Sequence, residues 1–167
     1  MKRALFIGRF QPFHNAHLID IKKVLKEADE VIIAIGSSKE KNTMENPFSY
    51  NERKKMIESV LKKHKIRNCR IYPVPDLYND KKWVGYIKNN LPRYDFVYSG
   101  NLWTLKCFKK FDSEVRKIKL IKGISSTIIR KMIVTEKNWQ KLVPEEIITY
   151  IGKIDGAKRI KKIYSGT

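Results

Sequence analysis

The sequence predicts an α/β protein with an open parallel sheet of five to six strands, helices on both faces and a helical C-terminal region. Residues 3–8 and 30–36 are short, uninterrupted apolar runs ending in glycine, a composition suited to strands buried on both faces. Between them Leu18, Ile21, Val24, Leu25 and Ala28 recur at helical spacing over residues 15–28. The alternation of strand and helix then continues along the chain, which implies parallel pairing through right-handed crossovers.

Taken in order, Ser49-Tyr50-Asn51-Glu52 matches a capping box ahead of Met56, Ile57, Val60 and Leu61 at helical period. Residues 70–75 read as a strand, 82–91 as a helix, 95–99 as a strand, 102–111 as a helix and 115–121 as a strand. From residue 125 onward the reading is helical: 125–135, a segment with Pro144 at its first helical position, and a Lys-rich helix at 156–164. There is no repeat, Gly/Ser linker or low-complexity tract, so residues 1–167 read as one domain, with 125–167 as its helical part.

Composition narrows the function less than the pattern does. The 167 residues carry 36 Lys and Arg against 17 Asp and Glu, a net charge of +19. That excess fits polyanionic partners, whether nucleic acid, acidic membrane or small phosphorylated ligands. Residues 61–120 are the richest in it, with 15 basic and 5 acidic groups, and most are Lys, which commonly does no more than solvate a surface. The five tyrosines Tyr72, Tyr78, Tyr86, Tyr94 and Tyr98 interleave with Lys there, as single-strand binders require. No recognition-helix, zinc-finger or ribonucleoprotein motif accompanies them, so nucleic acid is not the expected partner. No apolar run is long enough for a membrane span, and the first nine residues do not read as a secretory leader. Two cysteines, Cys69 and Cys107, make no disulfide scaffold. A cytoplasmic protein with reduced thiols is expected.

In parallel α/β sheets, ligands bind beyond the carboxyl ends of the strands, which directs attention to the segments just after them. After the first strand comes Gly8-Arg9-Phe10-Gln11-Pro12-Phe13-His14-Asn15-Ala16-His17. His14 and His17 are spaced to share one helical face beside the free N–H groups of a helix start, a setting that favours bound phosphate. Gly8 would allow a tight turn or a close approach to a ligand, and Pro12 would hold the loop extended. Two ordinary core histidines are the plain alternative, and a zinc pair is another. No Cys, Asp or Glu nearby completes a tetrahedral site, and the third histidine, His64, falls in a Lys-rich helix. A second candidate is Gly123-Ile124-Ser125-Ser126-Thr127-Ile128-Ile129-Arg130. Its hydroxyls, free N–H groups and one guanidinium at a helix start would make a second phosphate site. Its plain alternative is a routine cap with a surface Arg.

Together, Gly8-Arg9-Phe10-Gln11-Pro12-Phe13-His14-x-x-His17 and Ile124-Ser125-Ser126-Thr127-x-x-Arg130 resemble the signature pair of the Rossmann-like nucleotidyltransferase α/β superfamily. The archaeal nicotinamide-nucleotide adenylyltransferases are the most similar branch. The resemblance extends to Ile35-Gly36-Ser37-Ser38, Glu45-Asn46-Pro47-Phe48-Ser49 with Glu52-Arg53, Trp83-Val84-Gly85, Tyr98-Ser99-Gly100-Asn101 and Leu142-Val143-Pro144.

The resemblance implies that the phosphate of nicotinamide mononucleotide (NMN) attacks the α-phosphorus of ATP in line, giving NAD and pyrophosphate without a covalent enzyme intermediate. His14, His17, Arg9 and Arg130 would be the catalytic residues. Gly8, Phe10, Gln11, Phe13, Gly100, Asn101, Ser125, Ser126 and Thr127 would complete the ATP site. Gly36, Ser37, Phe48, Arg53, Asp80 and Trp83 would bind the acceptor, with Trp83 stacked on the pyridinium ring. Mg2+ would arrive on the triphosphate, with no metal site in the protein. The family also implies a homo-oligomer. Phosphopantetheine, flavin mononucleotide and a CTP-dependent reaction are the alternatives for the substrates. Three departures stand out: Ala16 occupies a position that is usually Gly, Asp80 one that is usually Asn, and Ile124-Ser125-Ser126-Thr127 is closer to the superfamily's general pattern than to the archaeal one. An Asp80 facing the pyridine substituent would favour a carboxamide over a carboxylate.

Overall fold

Five parallel strands, in the order β3-β2-β1-β4-β5, form the sheet of the computed structural model, which describes residues 1–111 and 113–166. They are β1 (Arg3–Gly8), β2 (Glu30–Ile35), β3 (Cys69–Pro73), β4 (Phe96–Ser99) and β5 (Val115–Lys117). The helices are α1 (Asn15–Val24), α2 (Tyr50–Lys63), α3 (Asp80–Asn90), α4 (Leu102–Lys110), α5 (Ser126–Val134), α6 (Glu145–Lys153) and α7 (Gly156–Ser165). A 3-10 turn spans Gln140–Leu142.

The chain divides into two compact units. The first comprises Met1–Gly8, Ile19–Ser38 and Asn68–Leu120, and holds the whole sheet with α3, α4 and most of α1. In it β1 is central: Leu5 pairs with Ile32 on one side and Val97 on the other. Leu5, Ile7, Ile32, Ala34 and Val97 form one face, packed with Trp83, Val84 and Ile87 of α3 and Cys107 and Phe108 of α4. The alternate residues Ala4, Phe6, Ile33 and Ile35 are buried too, as are Ile21 and Val24 of α1, so both faces are apolar. The crossovers run in opposite directions from the centre, toward β3 and toward β5, which makes β1/β4 the switch point. There Ser99 Oγ donates to the Ile7 carbonyl (3.4 Å) and accepts from the Asn101 N–H (3.1 Å).

The second unit comprises Arg9–Leu18, Lys39–Arg67 and Ile121–Thr167, whose described part ends at residue 166. Its helices pack α2 on α6, α5 on α7 and α6 on α7, and Met56, Ile57, Val60, Ile129, Ile133, Ile147, Ile151 and Ile160 on them are buried. The expected capping box is present: Ser49 Oγ accepts from the Glu52 N–H, and the Glu52 carboxylate accepts from the Ser49 N–H. A cap of this kind contributes about 1 kcal/mol.

Several expected boundaries shift. The first helix stops at Val24 rather than 28, where i→i+3 bonds such as Glu27 N–H to the Val24 carbonyl tighten its last turn. β5 ends at Lys117 rather than 121, because its partner β4 ends at Ser99. Pro144 is the N-cap of α6, in extended backbone, and the helix starts one residue later. His64 is the C-cap of α2, not part of the helix body.

Candidate active site

β1 delivers the first motif. Its turn is taken not at Gly8 but at Phe10, which adopts a left-handed backbone (φ 53°) that non-glycine residues seldom accept. Such a conformation persists where surroundings enforce it, and Phe10 is almost wholly buried. The following Gln11–Pro12 peptide is cis.

The side chains of this loop hold one another. Gln11 clamps the backbone of Phe48: its Nε2 donates to the Phe48 carbonyl (2.8 Å) and its Oε1 accepts from the Phe48 N–H (3.0 Å). Arg53 is fully buried and donates from Nη1 to the Arg9 carbonyl (2.8 Å) and from Nε to the Ser49 carbonyl (3.2 Å). Its helical spacing reads equally well as a surface charge; burial makes it a strut under the loop.

The two histidines stack, ring centroids 3.5 Å apart and 15° from parallel. The His14 N–H donates to His17 Nδ1 (3.2 Å), which leaves the proton of a neutral His17 on Nε2. Phe10 and Phe13 flank His17 at 4.8 and 5.3 Å. Burial therefore pushes His14 down to about 4, and burial with the neighbouring His14 pushes His17 well below the usual histidine value. Among the described residues, His14 Nδ1 has no hydrogen-bond partner.

The same unit brings the second motif to this loop. Ser125 is the N-cap of α5, accepting from the Ile128 N–H (3.2 Å), so neither Ser126 nor Thr127 caps the helix. Ser126 Oγ donates to the Pro12 carbonyl (2.9 Å). Arg130, 5% exposed, donates from Nη1 to the Gln11 carbonyl (2.9 Å) and from Nη2 to Thr127 Oγ1 (3.5 Å). Its buried Nε has no partner among the described residues. Buried donors left open in this way are costly unless something else satisfies them. Loop, stacked imidazoles, hydroxyls and guanidinium form one cluster suited to an anion with several oxygens.

The first unit carries the remaining candidates at the ends of its strands. Gly8 ends β1; Gly36 and Ser37 follow β2, Ser37 with a left-handed backbone (φ 48°). Gly100 follows β4, and a Cβ there would come within 2.9 Å of the Leu120 side chain. Asn101 caps α4, its side chain accepting from the Thr104 N–H. Trp83 is 5% exposed and lies 5.0 Å, ring to ring, from Trp103, which is half exposed. Asp80 opens α3 beside the Cys107 thiol. Burial pushes that thiol up to about 11, aided by the Asp80 charge and by the hydrogen bond Asp80 accepts from it. The segment Ser99–Trp103 follows a strand end, but no site role falls on Trp103 from the sequence. Its position two residues after Asn101, on the first turn past a strand end, was the available signal.

An open parallel sheet with a histidine pair after its first strand and a Ser/Thr/Arg helix start is the arrangement that the resemblance implies for a nucleotidyl-transferring α/β protein. The cytidylyltransferase-like family matches residues 5–132. Nicotinamide-nucleotide adenylyltransferase of Methanococcus aeolicus is 42% identical over 96% of the chain and 94% of its own length. Those of Thermoplasma acidophilum and Saccharolobus solfataricus are 37% and 38% identical, over 97% and 98% of the chain and 92% and 97% of their own. The chain belongs to the cytidylyltransferase-like family, in the branch of the archaeal nicotinamide-nucleotide adenylyltransferases. Its fold is similar to a crystal structure of a bifunctional NMN adenylyltransferase/ADP ribose pyrophosphatase from Francisella tularensis complexed with AMP and a manganese ion. That likeness has a TM-score of 0.79 and 24% identity over 98% of the chain. The chain spans about half of that larger protein, 53%.

The paired histidines couple stability to pH. A histidine whose folded pKa is lowered binds its proton in the unfolded state first. Stability is then full above about pH 6.5, the unfolded value, and falls as pH drops toward the folded value. Asp20, pushed up to about 6 by burial against the pull of Lys23, works the other way, because the folded state keeps its proton longer. The unfolding midpoint of His14→Asn should therefore fall less between pH 7 and 4.5 than that of the wild type. Parallel curves for the two proteins would contradict the assignment.

Proposed function

We propose that the chain transfers the AMP moiety of ATP to NMN, forming NAD and releasing pyrophosphate. The observation that supports this reading best is the anion-ready cluster of Arg9–His17 with Ser126, Thr127 and Arg130. The NMN phosphate attacks the α-phosphorus in line and the pyrophosphate leaves opposite. No side chain forms a bond to phosphorus. The protein contributes alignment and charge, and alignment alone can supply about 7–11 kcal/mol.

Arg9, Arg130, Ser126 and Thr127 hold the triphosphate, while His14 and His17 donate hydrogen bonds to oxygens that gain charge at the α-phosphorus. Phe10, Gln11, Phe13 and Ser125 shape that site, and Gly8, Gly100 and Asn101 take the adenosine. Gly36, Ser37, Asp80 and Trp83 serve NMN, joined by Trp103, while the buried Phe48 and Arg53, named with them by the resemblance, act only by holding the motif loop. Magnesium bound to the ATP phosphates would neutralise part of their charge. Among the described residues no group of three or more His, Cys, Asp or Glu side chains comes together, and Mg2+ is commonly held by substrate phosphates instead. A cytoplasmic homo-oligomer, with neither nucleic acid nor membrane as partner, completes the proposal.

The direct test is incubation with ATP, magnesium and NMN. NAD and pyrophosphate in equal amounts are expected, with little pyrophosphate from CTP, phosphopantetheine or flavin mononucleotide. No NAD from the wild type would refute the reading.

Asp80 should bias the choice of acceptor, because a carboxylate repels the acid and accepts from the amide. Asp80→Asn is expected to raise kcat/KM for nicotinic acid mononucleotide by about fivefold, the scale of one like-charge contact in water. Equal use of both acceptors by the wild type, unchanged in Asp80→Asn, would remove that role.

A further inference from the structure

The C-terminal helix α7 reaches the motif loop through a chain of polar contacts in the second unit. Arg159 of α7 grips Glu52 with both arms of its guanidinium, Nη1 to Oε2 and Nη2 to Oε1, each 2.8 Å. Nη1 also donates to the Pro47 carbonyl (3.4 Å), and the guanidinium carbon lies 5.9 Å from the Phe48 ring centroid. The same Glu52 carboxylate accepts from the Ser49 N–H (2.8 Å). The pair thus brackets residues 47–49 from both sides.

That segment in turn holds the motif. Phe48 offers its N–H and carbonyl to Gln11, and the Ser49 carbonyl accepts from Arg53, whose Nη1 holds the Arg9 carbonyl. On the other flank, Gly156 at the start of α7 leaves no room: a Cβ there would stand 2.8 Å from Phe48 Cε1. Helix α7 therefore fixes residues 47–49 by an ion pair and by direct packing. Arg159 and Glu52 are both partly shielded from solvent, and a bidentate, partly buried pair of this kind couples more strongly than an exposed one.

From this geometry we infer that Glu52 and Arg159 are positioning residues for adenylyl transfer, holding Arg9 and Gln11 in register through residues 47–49. Neither residue touches the phosphate cluster itself. This rests on the proposed transfer reaction. Placement errors of about 1 Å at a reacting centre can lower rates roughly hundredfold. Loss of the brace should therefore lower kcat while leaving the fold standing.

The test compares Arg159→Ala, Arg159→Lys, Glu52→Gln and the exchanged pair Glu52→Arg/Arg159→Glu with Lys161→Ala. The last removes another ion pair of α7, Lys161 Nζ to Glu136 (2.6 Å), which does not involve residues 47–49. Kinetics are measured well below each variant's unfolding midpoint, and hydrogen exchange of the Phe48 amide is followed in the same proteins without substrate. Arg159→Ala and Glu52→Gln are expected to lower kcat about tenfold or more, with KM for ATP changed less than threefold, and to speed Phe48 exchange. Arg159→Lys should recover part of both readouts, and Lys161→Ala should change neither. If the exchanged pair is folded and regains kcat, the proposal gains direct support. Wild-type kcat and Phe48 exchange in folded Arg159→Ala would overturn it, as would an equal kcat loss in Lys161→Ala. Absence of NAD from the wild type would overturn the transfer reading alone, since the exchange comparison stands without it.

Discussion

His17→Ala is expected to lower kcat for NAD formation by about a hundredfold to a thousandfold, the usual effect of deleting one hydrogen-bond donor aimed at developing charge. The expectation follows from the state in which the structure holds the ring. Stacked on His14, flanked by Phe10 and Phe13, and accepting the His14 N–H at Nδ1, His17 is neutral near pH 7 with its proton on Nε2. Two imidazolium ions at 3.5 Å would repel, so the pair supplies oriented N–H groups rather than two fixed charges. Glutamine can place an amide N–H near the Nε2 position, so His17→Gln should retain more activity than His17→Ala. The pH profile of kcat/KM, which reports the free enzyme, should lose activity on its acid side below the ordinary histidine value of about 6.5. Substitution by alanine with NAD formation within threefold of wild type would remove His17 from the mechanism.

Arg130→Lys is expected to be nearly as damaging as Arg130→Ala, each lowering kcat by roughly a hundredfold or more. The guanidinium already bonds the Gln11 carbonyl and Thr127 Oγ1, and its Nε still points to no partner among the described residues. A planar fork can hold the loop and an anion at once, whereas one ammonium cannot occupy both places. Alanine also strands the Gln11 carbonyl, and an unpaired buried polar group costs about 1–3 kcal/mol. The two effects separate on measurement: Arg130→Ala should lower the unfolding midpoint as well as kcat, and Arg130→Lys should lower mainly kcat. Full activity in Arg130→Lys would show that the guanidinium serves the loop alone.

The motif residues were marked by residue type and spacing, yet several of their tasks were not visible there. Spacing along α2 put Arg53 on a helix with apolar Met56, Ile57 and Val60, but nothing local says that its guanidinium ends on the Arg9 carbonyl. Trp103 and Arg159 carried no periodic signal at all. Local spacing shows Glu52 as half of a capping box and as part of the Glu52-Arg53 segment of the resemblance, but its partner Arg159 lies 107 residues away.

Strand and helix identity, the parallel sheet and the two phosphate motifs are consequences of local rules: apolar runs bury on two faces, 3.6-residue periods make amphipathic helices, and hydroxyls cap helix starts. These act within a few residues, so they can be read along the chain. Tertiary structure decided the pairing of His14 with His17, the lowering of their pKa values by burial, the bond from Arg130 to Gln11 and the brace from α7. Each of these depends on which buried groups meet across long stretches of chain, and on a desolvation that only packing creates. The order β3-β2-β1-β4-β5 belongs with them, since short strands without a neighbour, like the end of β5, simply stop.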